Sequence, residues 1–275
     1  MSAHKSVRAF DGSAVRQFPG PEVERTTEQQ SVTGLVARAA LARALALAFA
    51  PPVGPVLSFL KDGLASKVAE AAAYLEEGPA LQAGAAAVAQ ALGDGADLEG
   101  EYHRLFHTEL PATPYETEYG PQRAARKGPT LADILGFYQA FGFRPAPAAA
   151  ELPDHIGVEL EFLSLLLMKE ADARGRGAGE EAAVAADAAR KFLADHLGRW
   201  VPGFCRGLRE AARDPFYRAA ADLLEIFLEG EASRLGCSLG EAAGLVPGPP
   251  EEGVACPMAP ASECPMAIAQ WPMDQ

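Results

Sequence analysis

The stretch Pro153-Asp154-His155-Ile156-Gly157-Val158-Glu159-Leu160-Glu161-Phe162-Leu163-Ser164-Leu165-Leu166-Leu167 decides the fold. Ile156, Leu160, Leu163 and Leu167 recur at helical spacing, and Phe162, Leu165 and Leu166 widen that stripe until most of the circumference is apolar. A helix apolar on nearly all sides is buried on nearly all sides, so this segment is expected to be the central element of its domain. Its polar opening, Asp154-His155, follows a Pro/Ala linker over Arg144–Pro153 and is placed to face a groove instead of the core.

Outward from this centre, helical patterns continue in both directions. On the N-terminal side they cover Ser31 to Pro51-Pro52, Val56–Leu75 with a weak point at Gly63, Ala80–Leu92, Asp97–Glu109, and Thr130–Phe141 with Thr130 as N-cap. On the C-terminal side they cover Glu180–Trp200, Pro202–Arg213 and Pro215–Leu235. The segment Leu110–Pro121 is proline-punctuated and too irregular for helix. No stretch alternates with period two, so strands are not indicated. The fold class read from this pattern is all-α: an N-terminal arm over 1–30, one helical domain over 31–239, and a Pro/Gly/Ala-rich tail over 240–275, both ends expected to be disordered.

Composition agrees. Apolar residues make up 49% of the 275, and Ala and Leu dominate them, which favours helix over strand because β-branched side chains lose rotamer freedom on a helix. The formal net charge of −13 argues against nucleic acid, whose binding requires a basic surface, and suits a basic peptide. The N-terminus shows no secretory signal. The Ala-rich run Leu35–Ala50 is short for a bilayer and carries Arg38 and Arg43, so it reads as a core helix. Four widely spaced cysteines without an export signal point to reduced thiols in the cytoplasm.

Three stretches belong together. The first is Glu101-Tyr102-His103-Arg104-Leu105-Phe106 with the loop Pro114-Tyr115-Glu116-Thr117-Glu118-Tyr119. The second is the Pro153–Leu163 string. The third is Phe192-Leu193-Ala194-Asp195-His196-Leu197-Gly198-Arg199-Trp200-Val201-Pro202, ending in Asp214-Pro215-Phe216-Tyr217. In this order they resemble the TorD/DmsD/NarJ family of cytoplasmic chaperones for molybdoenzymes, over about Leu35–Leu235. The resemblance implies a TorD-like helical domain that is not an enzyme and carries no cofactor. Its partner would be the catalytic subunit of a molybdopterin oxidoreductase, often through an N-terminal twin-arginine signal peptide, held until the cofactor is inserted. It also implies Asp154 and His155 as client-contact residues. Some members bind guanine nucleotide, and some form domain-swapped dimers, for which Arg144–Leu152 is a credible hinge. Where members usually have a small Gly-containing turn, this chain has His107-Thr108-Glu109-Leu110-Pro111.

Physical chemistry supports such a role. A twin-arginine leader is a basic segment followed by an apolar one, so its receptor needs carboxylates beside a hydrophobic groove. Tyr115, Glu116, Glu118 and Tyr119 on the loop supply candidate apolar and anionic contacts. Plainer alternatives stand beside these: Asp154 as an N-cap, a His155–Glu159 pair one helical turn apart, and Trp200, Phe216 and Tyr217 as core. His103 and His107, four apart, have metal-ligand spacing but no compelling third ligand. No phosphate-binding glycine loop or nucleophile–base arrangement is present, and Cys205 falls inside an apolar helix. The repeated Cys256-Pro257-Met258 and Cys264-Pro265-Met266 raise an alternative reading, a metal- or haem-responsive helical protein using Cys256 and Cys264 as soft ligands.

Overall fold

In the computed structural model the described residues are 21–92, 97–120, 123–145 and 151–240. They form α1 (Pro21–Ala48), α2 (Gly54–Asp62), α3 (Leu64–Ala72), α4 (Gly78–Ala91), α5 (Leu98–His103), α6 (Arg123–Ala140), α7 (Ile156–Gly175), α8 (Gly179–Phe192), α9 (Gly198–Ala211) and α10 (Pro215–Leu235). Among the described residues there is no strand, only an isolated antiparallel bridge between Tyr115 and His155. The fold is all-α.

α7 is the centre, as its sequence requires. It lies between α1 and α8, while α1 also packs on α3 and α10, α10 packs on α9, and α4 closes over α3 and α10. Ile156, Leu160, Phe162, Leu163, Leu166 and Leu167 are each fully buried. Burying each such side chain contributes about 1.5–3 kcal/mol, so this one helix anchors much of the domain. The α1–α7 contact is close because small residues line it. The Ser164 hydroxyl donates to the Ala39 carbonyl at 2.8 Å, and a Cβ on Gly157 would lie only 3.3 Å from the Ala46 carbonyl.

Ion pairs tie the far end of the same helices. Arg38 of α1, 7% exposed, bridges Glu231 of α10 at 2.9 Å and Glu77 at 2.8 Å. Arg234 joins Glu231 to Glu170 of α7, and Arg174 also reaches Glu170. The buried carboxylates of Glu170 and Glu231 are thereby compensated, as burial of a charge demands.

Several boundaries differ from the sequence reading. Helix α1 starts at Pro21, ten residues before Ser31, inside the stretch read as an arm. Thr130 is not an N-cap: α6 begins at Arg123 and runs through Pro129. A proline there removes a backbone donor, which the helix tolerates because residues 126–129 face solvent. The expected break at Pro202 falls instead at a π-helical turn, Leu193–Leu197, and Pro202 lies inside α9. Because Pro202 has no N–H for the Gly198 carbonyl one turn earlier, that carbonyl accepts from the Gly240 N–H at 2.9 Å. The end of the described chain is docked by the bond that proline releases. Gly63 splits the second predicted helix into α2 and α3, and α10 matches its predicted span. Residues 1–20 and the tail from 241, with Cys256 and Cys264, lie outside the described residues, as do 146–150 of the expected hinge.

Candidate functional site

The three sequence stretches meet in space, joined by their polar side chains. At one end, Glu101 and Arg104 of the first stretch form a two-pronged ion pair at 2.7 Å. Glu101 also accepts the N–H groups of Arg213 (2.6 Å) and Asp214 (3.2 Å), and Arg104 donates to the Ala211 carbonyl. Burial alone would raise the Glu101 pKa, but the bonds from Arg104, Arg213 and Asp214 outweigh it and hold this carboxyl below its ordinary range. Asp214 in turn caps α10 by accepting from the Phe216 N–H, and the Tyr217 hydroxyl donates to the Leu98 carbonyl. The first stretch therefore clamps the last.

At the other end, the proline-rich loop is stitched to the start of α7. Ile156 N–H donates to the Pro114 carbonyl (2.9 Å) and Glu116 N–H to the Asp154 carbonyl (3.0 Å). The Asp154 carboxylate accepts from both the N–H and the hydroxyl of Thr117, at 3.1 and 2.7 Å. The Tyr115 ring stands edge-on to His155 with centroids 5.3 Å apart, and its hydroxyl donates to Glu151 at 2.5 Å. Sequence reasoning placed loop and helix start on two sides of one groove; here they touch directly.

Burial then corrects the roles. Asp154 is 0% exposed, His155 2% and Tyr119 9%. Asp154 and His155 do not face a groove, because Thr117 and the loop backbone occupy that position. Asp154 is not the N-cap either. The cap is His155, whose Nδ1 accepts from the Gly157 N–H at 3.1 Å. This leaves the proton of a neutral ring on Nε2, which is buried with no hydrogen-bond partner among the described residues. Burial pushes the His155 pKa down to about 4 against the pull of Glu151 and Asp154. The His155–Glu159 pair is also absent: Glu159 accepts from the Trp200 indole N–H at 3.2 Å. Tyr119 stacks on Trp200 with centroids 5.2 Å apart and donates to the Thr113 carbonyl. Of the named loop residues, Tyr115, Glu116 and Glu118 retain partial exposure. Trp200, Phe216 and Tyr217 are core, as expected.

A second buried group links the loop to α6 and α8–α9, and sequence reasoning missed it. Glu159, fully buried, has Glu116 beside it; desolvation, reinforced by that neighbouring charge, raises its pKa well above the carboxylate range. His196 contacts Glu116 through Nδ1 at 3.0 Å and Asp133 through Nε2 at 3.3 Å. Its position in the third stretch was the available signal. The first and third stretches each carry a π-helical turn, Arg104–Thr108 and Leu193–Leu197, a distortion found often at functional sites. One more irregularity flanks the loop. Leu110, 42% exposed, has φ 51°, in the left-handed region that favours glycine. It falls in the five-residue stretch where the family usually has a Gly-containing turn.

His103 and His107 are exposed with ring centroids 5.2 Å apart. Among the described residues no group of three or more His, Cys, Asp or Glu is placed to hold a metal ion. Cys205 is fully buried, and burial raises its thiol pKa, so it is inert.

Residues 61–206 match the family described as nitrate reductase delta subunit. That match takes in the first two stretches and most of the third. The chain belongs to this family. Among its relatives are the chlorate reductase assembly chaperone protein of Ideonella dechloratans and the selenate reductase assembly chaperone protein of Thauera selenatis. Each is 35% identical over 142 residues, covering 50% of this chain and 70% of the relative. Chaperone protein TorD of Aeromonas salmonicida is 31% identical over 147 residues, covering 50% of this chain and 60% of its own length. The TorD/NarJ resemblance is thus upheld, and family members are assembly chaperones, not enzymes. Among the described residues no helix is long and apolar enough to cross a membrane.

Proposed function

We propose that this chain is a cytoplasmic chaperone for the catalytic subunit of a molybdopterin oxidoreductase, acting by capture and release. It binds that subunit, often through a twin-arginine signal peptide, and holds it while cofactor is inserted and before export. The observation that carries this reading is the convergence of the family's sequence stretches on one loop, pinned by Asp154, Thr117 and the Tyr115–His155 bridge.

In this reading Tyr115, Glu116 and Glu118 supply client contacts, with exposed Leu110 and Leu152 nearby in sequence. Asp154, His155 and Tyr119 act from inside, fixing the loop's shape. A shape fixed before binding lowers the entropy lost on capture. The −13 charge favours encounter with a basic leader. The test is to purify the tagged chain gently from its native cell and identify what accompanies it. An oxidoreductase catalytic subunit enriched over control is expected; a cell that expresses such an enzyme but yields none of it would overturn the reading.

A further inference from the structure

Two grooves beside the motif loop run along α6 and share Asp133 as a common wall. One, of about 610 Å³, lies between α6 and α8 and is lined mainly by Gly136, Phe137, Ala140, Phe141, Ala183 and Val184. The other, also about 610 Å³, continues past Asp133 and is polar, with the carboxylates of Glu116, Asp133 and Asp195 and the guanidiniums of Arg126 and Arg199 around it.

Four observations mark this as a receiving surface. Val184 is 61% exposed, an apolar side chain at an apolar groove's edge. Gly136 sits mid-helix, where glycine costs about 1 kcal/mol relative to alanine, yet a Cβ there would meet nothing within 4 Å. No internal packing requires the glycine, and its bare backbone lets another chain come close to α6. His196, 2% exposed, forms part of the polar wall and lies between two of its carboxylates, Glu116 at 3.0 Å and Asp133 at 3.3 Å. The adjacent Asp133 carboxylate, 67% exposed, has this imidazole 3.3 Å away and carries the negative charge toward solvent.

We propose that this double groove receives a peptide whose basic residue precedes an apolar run. Resting on the chaperone reading above, the proposal places the leader-like segment of the client on α6 and α8, leaving the Tyr115 loop to contact the rest of the client. The apolar run lies over Gly136 and between Phe137, Phe141 and Val184; the cation reaches Asp133, with Asp195 and Glu116 behind it. Carboxylates outnumber guanidiniums at that end, and the whole chain is strongly acidic, so a cation is favoured over an anion. Through Glu116, a residue of the motif loop that contacts His196, an occupant here is coupled to that loop.

The experiment measures binding of a fluorescent synthetic peptide, two arginines followed by a Leu/Ala run, to the full chain by anisotropy. Comparison uses the Val184→Glu, Asp133→Lys and Tyr115→Ala variants and the same peptide with glutamates for its arginines. Val184 and Asp133 are exposed, so both variants are expected to fold, which circular dichroism checks. The expected result is affinity at least tenfold weaker for Val184→Glu and roughly fivefold weaker for Asp133→Lys, on the scale of truncated contact residues and rim charges. The glutamate peptide is expected to bind weakly. Wild-type affinity in Val184→Glu and Asp133→Lys with loss in Tyr115→Ala would overturn the groove and leave the chaperone reading intact. No binding of the peptide to the wild-type chain would also overturn the groove; only failure of the client to copurify would remove the function itself.

Discussion

Leu110 holds an exposed apolar side chain at φ 51°, a conformation that costs a non-glycine residue roughly 1–2 kcal/mol. Leu110→Gly is expected to stabilise the chain by about 0.5–1 kcal/mol, strain relief less the added flexibility of the unfolded chain, as read by urea denaturation. Histidine and glutamate in the buried frame make opposite predictions about pH. The depressed His155 pKa means the unfolded chain takes up a proton first, so stability is full above about pH 6.5 and falls as pH drops toward about 4, by roughly 3 kcal/mol at most. Glu159 is raised, so its contribution is full below its unfolded value near 4.3 and is lost as pH rises toward the folded value. Glu159→Gln, which can still accept from Trp200, is therefore expected to gain stability relative to wild type between pH 5 and 8; denaturation midpoints that run parallel across that range would contradict it. None of these three residues showed its role in the sequence. Burial of His155 and the Glu116–Glu159 encounter are set by partners far along the chain. The local pattern at Pro153 pointed to Asp154 as the cap because it could not see Thr117.

At the scale of elements, periodicity carried the reading wherever a helix buries a stripe. The α7 stripe and the whole of α10 were legible, since Asp214 caps and Pro215 opens the latter while Gly236 at φ 65° closes it. Prolines misled at α6 and α9, where exposure at Pro129 and the Gly240–Gly198 bond at Pro202 compensate for the missing donor. Arg38, visible in the sequence only as a reason to doubt a membrane span, proves to be the buried cation that joins α1 to α10 and the α3–α4 turn. Removing it leaves Glu231, 0% exposed, without that cation and with Arg234 as its remaining ion-pair partner. Arg38→Ala is expected to cost about 3 kcal/mol, and Arg38→Ala combined with Glu231→Gln distinctly less than the sum of the two, by thermal or chemical denaturation. Additive effects would show that the pair does not couple α1 to α10.

The whole molecule reads as a rigid helical frame whose shared family residues are spent largely inside it. Glu101, Asp154, Glu159, His196 and Trp200 hold one loop and one pair of π-helical turns in place. Resemblance named the family from these residues, but family-level positions such as Asp154 and His155 could not reveal their burial, which only the packed chain shows. The measurement to make is the cofactor content of the client catalytic subunit, isolated from cells with this chain, without it, and with the chain restored. Client that is largely cofactor-free without the chain and filled again on its return is the expected result. Equal cofactor occupancy in all three would contradict a role in assembly.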